Sequence, residues 1–119
     1  MERSASVTFR SACPIASGLD VLGDKWSLVV IRDLIVHEQR TYSEFLSAPE
    51  GISTNILALR LQQLTDLGLI TRVNPNGPHR NNAYRLTDKG ATLRPVLEEL
   101  AKWSQVHLRA LHPNILSLD

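Results

Sequence analysis

"GISTNILALRLQQLTDLGLI", Gly51 to Ile70, is the stretch on which the fold turns. Ser53 is a natural N-cap, and Ile52 before it can pack on Leu57 at the fourth helical position, the spacing of a hydrophobic staple. At about 100° per residue, Leu57, Leu61, Leu64 and Leu67 fall on one side of the helix, and Asn55, Leu59, Gln62 and Asp66 fall on the other. Gly68 then closes a helix running from about Ser53 to Leu67. It is amphipathic with one anomaly, Leu59 on the polar side. Its outer face carries no cluster of carboxylates or histidines, so it predicts a contact surface and not a reaction centre.

Upstream, "TYSEFLSAPEG" holds Thr41 and Glu44 at capping-box spacing, which predicts a short helix ended by Pro49. Before it, Asp24 can cap "KWSLVVIRDLIVHEQ", whose Trp26, Val29, Val30, Ile31, Leu34 and Ile35 cover most of a helical circumference. That segment is expected at the centre of the core. "CPIASGLDVLG" reads as a first helix, with Cys13 at the N-cap, Pro14 at the first helical position and Gly23 at the exit. Downstream, "LITRVN" and "NAYRLT" read as two strands around the turn formers "PNGPHRNN", a hairpin whose tip spans about Asn74 to Asn82. Thr87 can cap a last helical region to about Leu111, with Pro95 kinking or restarting it.

With 119 residues, 43% of them hydrophobic, the chain suits one domain with a modest core. The expected division is a flexible arm over 1–12, a domain over 13–112 and a tail over 113–119. The longest uncharged apolar run, Ser27 to Ile31, is far short of the ~20 residues that cross a bilayer. The N-terminal "MERSASVTFR" lacks the apolar region of a secretory signal, so no membrane partner and a cytoplasmic location are expected. Net charge is +1, but it is unevenly spread. Four acids stand against Arg40 between Asp33 and Glu50, whereas Arg72, Arg80, Arg85 and Lys89 stand against Asp88 between Thr71 and Gly90. The single Cys13 excludes an intramolecular disulfide and any multi-cysteine metal site, and His37, His107 and His112 have no ligand spacing. No nucleophile, base or paired carboxylates assemble into a catalytic set, so neither an enzyme nor a cofactor is expected.

The order of elements predicts a mainly α fold with a small β-hairpin wing, a winged helix-turn-helix of the α+β class. In such a motif the Thr41 helix braces the Ser53 helix so that its outer face can enter a major groove about 12 Å wide. The expected partner is double-stranded DNA. Ser53, Thr54 and Asn55 at the helix start, then Ala58, Leu59 and Gln62, are the candidate contacts, with His79 and Arg80 of the wing on the flanking backbone or minor groove. Asn55 and Gln62 are amides of the kind that pair with adenine edges, and Leu59 can pack on a thymine methyl, which leans the half-site toward A·T. Plainer roles stand beside these. Ser53 caps a helix in any protein, and Arg60 at the rim suits either a structural salt bridge or a phosphate.

"CPIASGLDVLGDKW", "RTYSEF", the opening stretch, "YRLTDKG" and "LRPVLEELAKW" together resemble the HxlR-type transcriptional regulators, relatives of the MarR winged-helix proteins, over about Cys13 to Trp103. The resemblance implies a homodimer on a pseudo-palindromic operator. It also implies a role for Cys13 as a sensor of electrophiles or oxidants, as some members respond through the matching cysteine. Asn55, where the family often has a base, Leu59 in place of a polar residue, and Ala83 in place of an acid depart from the pattern. A dimer also follows from the apolar excess of the last helix, where Leu97, Leu100, Trp103 and Leu108 are the expected interface residues, unless Trp103 simply covers its own core. For Cys13 the other reading is a small apolar residue closing the first helix; as an N-cap, its sulfur would face the free N–H groups of the first turn, with Arg10 adding positive charge. The expected function is a dimeric DNA-binding regulator, a repressor because the chain offers no spare region for recruiting polymerase. The alternatives are a winged-helix protein-interaction module, or a regulator that senses a non-covalent small ligand at the dimer interface.

Overall fold

Ser53, Thr41 and Thr87 each cap a helix as their side chains predict, whereas Asp24, expected to cap a fourth, braces that helix from two residues ahead of its N-cap, Trp26. Ser53 Oγ accepts from the Ile56 N–H at 3.3 Å, Thr41 and Glu44 form the reciprocal capping box, and Thr87 Oγ1 accepts from the Gly90 N–H at 3.1 Å. The Asp24 carboxylate accepts from the backbone N–H groups of Trp26 and Ser27, both at 2.9 Å, and from the Ser27 hydroxyl. A computed structural model of the chain describes residues 7–77 and 82–116. Its elements are α1 (Pro14–Leu22), α2 (Ser27–His37), β1 (Arg40–Thr41), α3 (Tyr42–Leu46), α4 (Thr54–Asp66), β2 (Ile70–Arg72), β3 (Ala83–Leu86), α5 (Asp88–Ala91) and α6 (Arg94–His107).

The core lies where α2, α3, α4 and the first strand of the wing meet. Val30, Ile31 and Leu34 of α2, Phe45 of α3, Leu57, Leu61 and Leu64 of α4, and Leu69 and Ile70 are all buried. Each such side chain contributes roughly 1.5–3 kcal/mol when taken out of water, and the apolar stripe of α4 supplies three of them. α4 is therefore fixed along its inner face while its outer face stays open. Gly68 leaves the helix at φ +76°, a conformation that favours glycine, and turns the chain into β2.

The sheet is antiparallel in the order β1-β3-β2, with Arg40 opposite Tyr84 and Ile70 opposite Leu86. The strand β1 carries no signal in the sequence, because two residues are too few to show an alternating pattern. It ties the start of α3 to the wing. The last helical region is broken into α5 and α6, with Pro95 in the first turn of α6, as the proline predicts. The helix ends at His107, short of Leu111, and the N–H groups of Leu111 and His112 turn back to the Leu108 carbonyl. Gly90 permits α5 to lie against the strand connection, where a Cβ would overlap the Leu69 carbonyl oxygen. Among the described residues no helix is long and apolar enough to cross a membrane.

Candidate nucleic-acid interface

α4 presents Ser53, Thr54, Asn55, Ala58, Leu59 and Gln62 on one exposed face, opposite its buried leucines. Leu59 is 52% exposed, so the apolar anomaly in the sequence is a real feature of the surface. The Gln62 amide donates to Asp66 Oδ1 at 2.8 Å, one turn along the same face. Tyr42 Oη donates to the Thr54 carbonyl at 2.5 Å and fastens α3 to the first residue of α4.

Arg60 resolves toward structure. Its Nε lies 3.1 Å from Asp24 Oδ2 and its Nη1 donates to Gln63, so the one cation of α4 is turned toward the α1–α2 connection and away from the outer face. Burial alone would raise the Asp24 pKa; the Ser27 hydroxyl, the two N–H donors and Arg60 outweigh it and hold the carboxyl below its ordinary value. The outer face of α4 is consequently uncharged from Ser53 to Gln62.

The wing supplies the positive charge. Arg72 donates to the Pro75 carbonyl at 2.8 Å, and Arg85 is exposed on the central strand. Lys89 donates to the Leu67 carbonyl at 2.8 Å, which places a cation at the C-terminal end of α4 where the helix dipole favours it. Thr87 Oγ1 adds a bond to the Gly68 carbonyl at 2.6 Å, so two residues following the wing hold the far end of α4. The base of the wing is closed by Asn82, whose buried amide accepts from the Asn74 N–H at 3.2 Å and donates to the Asn74 carbonyl at 2.5 Å. In the sequence Asn82 is only one of several turn formers, and nothing local marks it as a bracket. His79 and Arg80 lie outside the described residues.

Around Cys13 the geometry differs from the sequence expectation. Cys13 is the N-cap residue of α1 and is exposed, but its side chain makes no capping hydrogen bond. The expected charge is also elsewhere: the Arg10 guanidinium pairs with the Asp20 carboxylate. The sulfur is thus available to solvent without the first-turn donors that the N-cap position suggested. Among the expected dimer residues, Leu100 and Trp103 are 49% and 55% exposed, Leu108 is half-buried, and Leu97 packs against its own core. Among the described residues no cluster of His, Cys, Asp or Glu could hold a metal ion.

The family model for the HxlR-like helix-turn-helix matches residues 21–112. The chain belongs to the HxlR-like helix-turn-helix family. It is 43% identical over 91 residues to the uncharacterized HTH-type transcriptional regulator sll1512 of Synechocystis sp., a match covering 76% of this chain and 66% of that one, just under two thirds of its length. The structure is similar to the redox regulator HypR in its reduced form, with a TM-score of 0.73, 26% identity and coverage of 85% and 99% of the two chains. It is also similar to the quinone-bound YodB of B. subtilis, with a TM-score of 0.64, 28% identity and coverage of 78% and 98%. As a member of this HxlR and MarR-like group, the protein is a DNA-binding helix-turn-helix transcriptional regulator, and its relatives are regulators and not enzymes.

Proposed function

We propose that the protein acts as a homodimer on an inverted-repeat operator, with α4 of each subunit in a major groove and each wing on the flanking backbone or minor groove. The observation that carries this is the exposed, uncharged face of α4, whose Thr54, Asn55, Ala58, Leu59 and Gln62 offer amides and apolar groups suited to base edges. A protein-interaction module would need an apolar face in their place. Affinity must then come from the wing, where Arg72 and Arg85, together with His79 and Arg80, supply cations for phosphate. The sense of regulation is repression, by occupation of the operator. The working domain is residues 13–112.

Support for the dimer comes from the first and last helices. Neither α1 nor α6 contains a buried residue, although both carry apolar rows. Cys13 is the proposed sensor. It is exposed at the start of α1, and two structures similar to this one are a redox regulator and a quinone-bound regulator. Modification of its sulfur would displace α1 relative to the partner subunit and alter the spacing of the two α4 helices. Anisotropy of a labelled duplex under a salt titration tests the DNA reading: affinity falling steeply with salt supports it, and salt-independent or absent binding refutes it.

A further inference from the structure

Resting on the reading of α4 as a major-groove helix, we propose that Leu59 reads the C5-methyl group of a pyrimidine, and that Asp66 holds the neighbouring Gln62 amide for adenine and against guanine. The protein then distinguishes thymine from uracil and methylated from unmethylated cytosine.

Leu59 is the odd member of its surface. Among the described residues it is the one large exposed hydrophobic of α4, at 52% exposure, and it takes no part in the core. Its neighbours one turn away on the same face are the exposed amides Asn55 and Gln62. A single exposed leucine elsewhere on a surface calls for no partner. Here its position decides, because a duplex seated on this face covers the leucine whatever base sequence it carries.

The major groove displays ring nitrogens, carbonyl oxygens and amino groups, each of which loses water under an apolar side chain and gains no hydrogen bond. The C5-methyl of thymine is the exception. 5-Methylcytosine carries the same group at the same ring position, whereas uracil and cytosine lack it. Taking one such carbon out of water is worth about fourfold in affinity. Leu59 therefore selects for the methyl group itself and not for a hydrogen-bonding edge.

Asp66 sets what is read beside it. Gln62 Nε2 donates to Asp66 Oδ1 at 2.8 Å. A glutamine amide has two N–H donors and one carbonyl oxygen. With one N–H on the carboxylate, the remaining N–H and Oε1 are the donor and acceptor that adenine N7 and N6 require. Guanine offers two acceptors, N7 and O6, and meets only one remaining donor. Nor does α4 bring a cation to guanine, since Arg60 is turned to Asp24 at 3.1 Å. Asp66 is in this sense a positioning residue for Gln62.

The test uses an inverted-repeat duplex enriched by the full-length parent from random DNA, resynthesised with each thymine in turn replaced by uracil, or by cytosine or 5-methylcytosine paired with guanine. Anisotropy titrations should find one thymine in each half-site where uracil costs about fourfold, and about 15-fold when both half-sites are changed. At that position 5-methylcytosine should bind about fourfold more tightly than cytosine. Leu59→Ala should abolish both ratios, which separates contact with the methyl from the effect of the methyl on duplex stiffness. Failure of the parent to enrich any sequence overturns the major-groove reading and methyl reading together. An enriched duplex that tolerates uracil at every thymine, or a Leu59→Ala protein with the ratios of the parent, overturns methyl reading alone. Asp66→Ala frees the second N–H of Gln62, so at the base whose preference Gln62→Ala relaxes, discrimination of adenine from guanine should fall about fivefold or more. Unchanged discrimination in Asp66→Ala overturns the positioning role.

Discussion

Tyr42 Oη donates to the carbonyl oxygen of Thr54 at 2.5 Å, so the first residue of α3 is tied to the first residue of α4. Thr54 is also on the exposed face proposed to meet DNA. The bond fixes the angle between the two helices of the motif at the end where the bases are approached. Tyr42→Phe keeps the ring, which packs beside the core, and removes only the donor. It should cost about 0.5–1.5 kcal/mol of stability and lower operator affinity by a comparable factor. Thermal unfolding and duplex titration on the same variant check this, and a stability loss with intact affinity would make the bond purely structural.

Asp24 joins two elements, since its carboxylate takes the first N–H groups of α2 and pairs with Arg60 of α4. Its pKa in the folded chain lies below the ordinary 3.8, so its contribution is complete above that value and is lost as pH falls through the lower folded value. Glu50 behaves in the same direction, chiefly through its hydrogen bonds from Arg32. Asp24→Asn should lower stability near neutrality by about 1–2 kcal/mol and flatten the acid limb of the stability curve. Unfolding midpoints between neutral pH and pH 2 would show the two proteins converging in acid, and a gap that stays constant with pH would contradict the assignment.

Trp103 is half exposed on a helix with no buried residue, with its ring 5.3 Å from that of His107. If α6 meets a partner, Trp103→Glu places a charge in an apolar contact on both sides of the axis. Sedimentation should then show monomer with unchanged helical content, and operator affinity should fall because one wing and one helix bury too little surface. An unchanged dimer would place the interface away from this part of α6.

Cys13 has an exposed sulfur and is the single cysteine of the chain. Oxidation can therefore give only a bridge between two Cys13 residues, a mixed disulfide with a small thiol, or an oxyacid, while an electrophile gives an adduct. Operator complexes should be released by diamide, a quinone or an aldehyde in the parent and persist in Cys13→Ser. Equal release in both proteins, or no response from either, would assign Cys13 a structural role.

How much of this was legible in the sequence depends on the range of the interaction. Ser53, Thr41 with Glu44, and Thr87 act on neighbours three residues away and cap as their residue types predict, while Asp24 takes the Trp26 and Ser27 N–H groups from two residues ahead of the N-cap, Trp26. The leucine stripe of α4 and the exposed Leu59 likewise follow from helical spacing alone. Arg60 could not be resolved locally because its partner, Asp24, is far back in the chain. The same holds for Arg32 with Glu50, for the Asn82 bracket on Asn74, and for the pairing of Arg40 and Thr41 with β3. The sulfur of Cys13 was expected at the first-turn donors from position only, and position does not set the rotamer.

Base reading by α4 is tested most directly by selecting bound sequences from random duplex DNA with the parent protein, Asn55→Ala, Gln62→Ala and Arg80→Ala. The parent should enrich an inverted repeat whose half-sites lie about one DNA turn, ~34 Å, apart. Asn55→Ala and Gln62→Ala should each relax preference at particular positions, by about 1–3 kcal/mol, while Arg80→Ala should weaken all duplexes alike. Random, unenriched sequences from the parent, or identical preferences in all four proteins, would contradict readout by the exposed face of α4.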